Sequence, residues 1–344
     1  MVDNLRFSVQ LKEKYDFDFL EKHKNVQGFI KHIFPTATTF RLYLFKDDVS
    51  DIDNYKVRSI PSLEIGIVLS ELNSRIVIEN SLRKWYYGKN SMKDFNLNDF
   101  INCLDLISQL LKINFIEILN AKIFYLEIGA NLKFRSEDKT ILLSIFDHED
   151  LKGISSLNNN QTIRLEGVNR KISIYDKLQE MFDKNNFSKK ILEKLSDRYF
   201  FGRCEIKIEK VSGVQFSKLK TGTLGDLILN WNEVAEYWEK EMFKIKFVEF
   251  LSPPVMLALI TKKIPLDNFI NYLGMKEMNA SQFKFLLDEF YNKNYSQKAK
   301  VRKRLTQNTM MFDSLKGSQT IPNFNKLVSK KARYFKGSSN KGNI

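Results

Sequence analysis

Apolar and polar side chains along the chain fall into short alternating runs and a few longer helical ones. Leu5 to Val9 alternates with period two, the pattern of a strand with one buried face. Phe40 to Phe45, Leu63 to Leu69, Ala121 to Phe134 and Arg203 to Val211 read as strands too. Shorter strands are expected around Ile163 to Leu165 and Ile172 to Tyr175, after a loop holding Ser155, Ser156, Asn158, Asn159 and Asn160. Arg75 to Tyr87, rich in β-formers and closed by Gly88, reads as one strand. Phe17 to Phe34 has helix-like spacing. Asn96 opens another helix: it can cap, Asp99 sits at the third position, and Leu97, Phe100, Ile101, Leu104, Ile107 and Leu111 follow at helical spacing.

Beyond Thr223 the texture changes. Leu224 to Phe247 is a long helical stretch whose Trp231 and Trp238 share one face. Pro253, Pro254 and Pro265 punctuate short helices, and Ser281 to Arg304 is helical and increasingly basic. The expected architecture is an α+β domain over residues 1–220, mainly antiparallel sheet with helices. A smaller helical domain over 221–297 and a basic tail over 298–344 follow, and no internal repeat is visible.

Composition narrows the class. Apolar residues make up 43% of the chain and aromatics 13%, which excludes a disordered polymer. The two cysteines, Cys103 and Cys204, are far apart and lack Cys-x-x-Cys spacing, so neither a disulfide framework nor a zinc module is expected. That fits a reducing cytoplasm. Met1 to Gln10 lacks the form of a secretory leader, and the apolar run Pro254 to Ile260 is far short of the roughly 20 residues of a membrane span. A soluble protein with no membrane partner is expected.

Charge changes the picture further. From Lys298 onward there are twelve basic residues and one acidic one, a net +11 out of a formal +14, which leaves +3 for residues 1–297. Arg302, Lys303, Arg304, Lys330, Lys331 and Arg333 lie in this segment, which has the chemistry of a phosphate-neutralising, salt-sensitive DNA-binding arm. The plainer alternative is a solubilising tail with few apolar residues to bury. The P-loop pattern is absent, Gly-x-Ser-x-Gly is absent, and His23, His32 and His148 are too dispersed for a local two-histidine metal site.

Four ordered segments carry a resemblance. They are Asn80-Ser81-Leu82-Arg83-Lys84-Trp85-Tyr86-Tyr87-Gly88-Lys89-Asn90, Leu126-Glu127-Ile128-Gly129-Ala130-Asn131, Ile172-Ser173-Ile174-Tyr175-Asp176-Lys177-Leu178-Gln179-Glu180 and Gly202-Arg203-Cys204-Glu205-Ile206-Lys207-Ile208. In order and spacing they resemble the filamentous-phage gene II/X family of phage and plasmid rolling-circle replication initiation proteins. The resemblance implies an RNA-recognition-motif-like replication-initiator core and a nickase whose tyrosine attacks a DNA phosphate. The products are a 5′-phosphotyrosine link and a 3′-hydroxyl that primes synthesis, with the host replication machinery as a further partner. A divalent cation neutralises the phosphate in such enzymes. The chain departs from the family where Lys89 stands in place of a histidine, Glu127 in place of an aspartate and Leu126 in place of an arginine.

By this resemblance Tyr175 is the nucleophile. If the segment stays extended, alternation puts Lys177 on the same face, where it stabilises phosphate charge or lowers the tyrosine's pKa. A site without the histidine needs carboxylates for Mg²⁺ or Mn²⁺, and Glu79, Glu127 and Glu205 are the candidates on expected strands. Arg83, Lys84 and Lys89 interleave with Trp85, Tyr86 and Tyr87, a pattern that holds a DNA backbone while bases stack. Each assignment has a structural alternative: a strand tyrosine, ion-paired glutamates, buried aromatics. Three functional readings stay open: a catalytic initiator, a DNA-binding or regulatory protein that keeps the fold without nicking, and a structural protein unrelated to DNA processing.

Overall fold

Period-two alternation does build strands, nearly all of them within residues 2–208. The computed structural model describes residues 1–11, 15, 18–50, 52, 60–70, 74–136, 145–151, 153–157, 162–183, 198–209, 219–247, 267–268, 270–271, 287–288, 294–314 and 320–337. Its strands are β1 (Val2–Gln10), β2 (Val26–Ile33), β3 (Thr38–Phe45), β4 (Ser62–Leu69), β5 (Arg75–Ser81), β6 (Lys122–Arg135), β7 (Ile145–His148), β8 (Gly153–Leu157), β9 (Thr162–Glu166), β10 (Arg170–Asp176), β11 (Tyr199–Ile208) and β12 (Ile245–Phe247). The helices among the described residues are α1 (Asp18–Glu21), α2 (Leu82–Tyr87), α3 (Leu97–Leu111), α4 (Phe115–Leu119), α5 (Lys177–Asp183), α6 (Leu224–Leu229), α7 (Trp231–Phe243), α8 (Tyr295–Ser314) and α9 (Thr320–Gly337). None of them is long and apolar enough to cross a membrane.

Ten strands form one antiparallel sheet in the order β2-β3-β4-β5-β1-β6-β11-β10-β9-β8, and β7 pairs separately with β12. The two halves of this sheet share one plan. In each, the first strand (β1 or β6) lies at the centre and the chain then runs to the outer edge. It returns strand by strand until β5 lies beside β1 and β11 beside β6. This topological repeat is invisible in the residue order, where no internal repeat can be read.

Alternation decides which side chains the central strands bury. Leu126, Ile128, Ala130, Leu132 and Phe134 of β6, with Phe200, Cys204, Ile206 and Ile208 of β11, join the core. The helices cover this face: Trp238 of α7 donates from its indole nitrogen to the Cys204 carbonyl at 3.3 Å. The Phe100 ring of α3 lies 5.4 Å from that of Trp231. Residues on both sides of position 220 therefore share a single core, and α6 and α7 form part of its helical layer. Both cysteines are buried and free.

The tail does not behave as a free arm throughout. On α9, Phe324, Val328, Ala332 and Phe335 are essentially inaccessible. Phe324 stacks on Phe134 with centroids 6.4 Å apart, and Phe335 meets Trp238 edge-on at 6.2 Å. The expectation of few apolar residues to bury fails here, because the apolar positions are few but recur at helical spacing.

Other boundaries move for local reasons. Phe17 to Phe34 holds only the short α1 and then β2. Arg75 to Tyr87 is divided: Asn80 takes a left-handed φ of 114°, and the Ser81 side chain accepts from the Lys84 N–H to cap α2. Ser155 and Ser156 belong to β8 rather than to a loop. Leu224 to Phe247 is interrupted at Asn230 and ends in β12, and the basic helix expected from Ser281 is described as α8 from Tyr295. Asn158 to Asn160 and the proline-punctuated segment 248–266 lie outside the described residues.

Candidate active site

The polar face of the two central strands is organised by one arginine. Arg203, Glu205 and Lys207 alternate with the core residues Cys204 and Ile206 and so share the opposite face. The Arg203 side chain has no solvent exposure. Its Nε donates to Glu205 Oε1 at 3.0 Å, Nη1 to Asp94 Oδ1 at 2.7 Å and Nη2 to Asp3 Oδ2 at 2.5 Å. To reach Asp3 it crosses β6 at Gly129, where an added Cβ would lie 2.7 Å from Nη2 and 3.0 Å from the Glu205 Cγ. Gly129 is therefore the gap through which the guanidinium passes.

Further cations complete the cluster. Arg83, also fully buried, pairs with Asp3 at 3.3 Å and donates to the carbonyls of Ser91 and Lys93. Lys331 of α9 pairs with Asp94 at 2.6 Å. Beyond the start of β1 the loop before α3 takes over as neighbour of β6: the Asn131 N–H donates to Asp94 and its side-chain amide to the Met92 carbonyl. Burial opposes the charge on Asp3, but Arg203 and Arg83 outweigh it and hold the carboxyl well below the usual range. At Asp94 burial is likewise outweighed, by Lys331 and Arg203, and the pKa falls to about 2.

Glu127 behaves differently. It accepts from the Tyr125 hydroxyl at 3.0 Å and lies 3.3 Å from the Lys207 ammonium. Burial, then the negative charges of Glu205 and Asp3, push its pKa up to about 8 despite Lys207 and Arg203. Asp3, Glu127 and Glu205 each place a carboxylate oxygen within 4.8 Å of the others. Such an all-oxygen donor set suits a hard divalent cation, Mg²⁺ or Mn²⁺, and the raised pKa of Glu127 couples binding of one to loss of a proton.

A carboxyl whose pKa rises on folding favours the folded state most below its ordinary value of 4.5, and this contribution is lost as pH rises to about 8. Cation binding, which releases the proton, should tighten about tenfold per pH unit below pH 8 and level off above it. Calorimetric Mn²⁺ titrations across this range test the slope. Glu127→Gln should abolish it and remove the alkaline loss of stability. A pH-independent affinity in the native protein would take Glu127 out of the donor set.

Tyr175 stands at the rim of the cluster, opposite Arg203 in the β10–β11 register. Its hydroxyl donates to Glu205 Oε1 at 2.8 Å. Burial and the Glu205 charge raise the phenol well above its ordinary pKa of 10.0, with Arg203 opposing. Lys177 does not continue the strand as expected, because β10 ends at Asp176 and Lys177 opens α5. It still lies near, with its ammonium 5.7 Å from the Tyr175 ring centroid and hydrogen-bonded to Glu180. Burial lowers the Lys177 pKa, against the pull of Glu180.

The structure thus brings Glu127, Glu205, Tyr175 and Lys177 together and leaves Glu79 out. Glu79 sits on β5, on the far side of β1 from β6, and pairs with Arg6 at 3.0 Å with 38% of its side chain exposed. Asp3, which completes the carboxylate set, has no local sequence signal. Arg203 and Lys207 do: their parity with Glu205 on one strand marks them as its face-mates.

The proposed DNA contacts separate in the same way. Arg83 is a buried tie rather than a surface contact. Trp85 is buried with its indole nitrogen on the Leu44 carbonyl, and Tyr87 donates to Asp99, so the 85–87 aromatics belong to α2 and its packing, not to a strand that stacks bases. Lys84 is partly exposed and 4.0 Å from Glu180, and Lys89 is partly exposed in the turn after Gly88. Arg302, Lys303 and Arg304 on α8, and Lys330 and Arg333 on α9, are exposed, while Lys331 is engaged with Asp94. His148 is an interior residue: Nδ1 accepts from the Asp150 N–H and Nε2 faces the Glu241 carbonyl at 3.2 Å.

Neither a protein-family model nor a curated protein matches the chain.

Proposed function

We propose that the protein is a DNA replication initiator, acting in the cytoplasm of a bacterial host, that nicks one strand at an origin through Tyr175. The observation that carries this reading is the hydrogen bond from the Tyr175 hydroxyl to Glu205, inside a cluster of three carboxylates suited to a divalent cation. A phenol kept neutral at physiological pH needs a base in the step itself, and Glu205 is already in contact with its proton. As the phenol oxygen bonds to phosphorus, Glu205 takes the proton and the bond from phosphorus to the 3′-oxygen breaks. The leaving oxygen takes a proton from water, giving a 5′-phosphotyrosine and a free 3′-hydroxyl. A cation held by Asp3, Glu127 and Glu205 would supply neutralisation of the phosphate charge. Arg203 holds Glu205 and Asp3 in place, and the exposed basic residues of α8 and α9 supply the salt-dependent grip on DNA.

The test is covalent capture. Incubated with Mn²⁺ and single-stranded DNA of the replicon that encodes it, the protein should form an adduct that survives denaturation and maps to Tyr175. Tyr175→Phe keeps the ring but deletes the attacking oxygen, so adduct should vanish while DNA binding stays unchanged. An adduct on another tyrosine retains the reaction and refutes the assignment. The absence of adduct with Mn²⁺ and with Mg²⁺ favours a second reading, a DNA-binding protein without nicking. That reading has its own support, because Arg203, Arg83, Lys207 and Lys331 already neutralise the acidic cluster.

A further inference from the structure

The sheet face that carries Tyr175 continues past Arg203 into an aromatic and basic stretch outside the ionic cluster. Tyr199 and Phe201 of β11 share the face of Arg203, and their register partners on β6 are Arg135 and Lys133. The Lys133 ammonium lies 3.5 Å from the Tyr199 ring centroid and 5.9 Å from that of Phe201. The two rings meet edge to face at 6.4 Å. Tyr199 keeps 36% of its surface exposed, and Lys133 and Arg135 are exposed beside it. Two large rings and two cations thus stand together at the surface of a sheet whose other face already supplies the core.

We infer that Tyr199 and Phe201 form a stacking shelf for unpaired bases of the DNA strand beside the phosphate attacked by Tyr175, with Lys133 and Arg135 on its backbone. The shelf rests on the proposed function for its place relative to that phosphate, but its affinity for DNA does not depend on nicking. Strand geometry sets the spacing: Phe201 is about 7 Å and Tyr199 about 13 Å along β11 from Arg203, the register partner of Tyr175. The step between rings is about twice the 3.4 Å rise of stacked duplex bases, so bases seated there are drawn apart, which a single strand permits and a duplex does not. The Lys133 ammonium covers one face of the Tyr199 ring and remains able to pair with a phosphate. Basic residues beside an exposed ring and a half-buried one match a polyanion with stacking faces better than they match a protein surface.

The probe is a labelled oligothymidylate of about twelve nucleotides, titrated without divalent cation and followed by fluorescence anisotropy. Tyr199→Leu and Phe201→Leu keep apolar bulk and remove the rings. Each should weaken binding by roughly five-fold to a hundred-fold, the equivalent of losing one stacked base. The dependence of affinity on salt should not change, because no charge is removed, and binding of a duplex of equal length should hold. Tyr199→Phe and Phe201→Tyr keep a ring and should retain native affinity. Should Phe201→Leu lose its fold, Tyr199→Leu at the exposed position carries the test alone. Native affinity in the folded leucine variants, or an equal loss for duplex, overturns the shelf. Failure of the nicking reading looks different: no adduct forms, while oligothymidylate binding still depends on Tyr199 and Phe201 and is indifferent to Tyr175→Phe.

Discussion

Arg203→Met is expected to unfold the protein or bring it to the margin of unfolding at room temperature. The substitution roughly keeps the volume and removes a guanidinium that touches three carboxylates from three parts of the chain. Asp3, Asp94 and Glu205 would stay buried, with Arg83, Lys331 and Lys207 left as their ion-pair partners among the described residues. Removing one partner of a buried pair costs about 3–5 kcal/mol, because the remaining charge is left in a poorly solvating interior. A domain's whole stability is about 5–15 kcal/mol. Arg203→Lys keeps the charge but not the planar fork, and should recover only part of the loss. Urea denaturation monitored by tryptophan fluorescence reads the effect. A midpoint within experimental error of the native one would mean that the cluster is solvated and that Arg203 does not organise it.

Deleting residues 320–344 should be comparably severe, although the segment is strongly basic. The cut strips Phe324, Val328 and Phe335 from the core, at about 1.5–3 kcal/mol for each fully buried side chain. It also exposes Phe134 and Trp238, which pack against two of them, and leaves Asp94 without Lys331. The truncated protein should bind hydrophobic dyes and aggregate. By contrast, replacing Arg302, Lys303 and Arg304 with alanine on the exposed face of α8 should leave the unfolding midpoint unchanged, and the two results together separate the structural from the solvated part of the tail. A truncated protein with native unfolding behaviour would show that α9 is dispensable to the core.

Much of the sheet was legible because alternation is a local signal: Leu5 to Val9, Leu63 to Leu69 and Ile172 to Tyr175 all fall on strands where expected. The division of Arg75 to Tyr87 was not, since a capping Ser81 and one left-handed Asn80 override a β-rich composition. At the site, Glu127, Glu205 and Tyr175 could be nominated from residue type and order. Glu79 could not be told from them, because strand order, not sequence order, decides which carboxylates meet. Asp3 and Asp94 are acceptable surface residues by type and become interior ones through Arg203, Arg83 and Lys331. The docking of α9 had a readable sign: Phe324, Val328, Ala332 and Phe335 recur at helical spacing, but the surrounding lysines and arginines pointed to an exposed arm.

Two of the three acids that Arg203 binds are distant from it in the order of synthesis. Asp3 precedes it by 200 residues and Asp94 by 109, while Lys331, the other cation on Asp94, comes after it. A chain paused on the ribosome before β11 therefore carries Tyr175 but neither Glu205 to bond it nor the arginine that gathers the acids. Closing so long a loop costs little extra free energy, because the cost grows only logarithmically, but contacts this remote are slow to find. The centre cannot assemble before β11 has been made, so translation products that stop short of it hold the tyrosine without the apparatus around it.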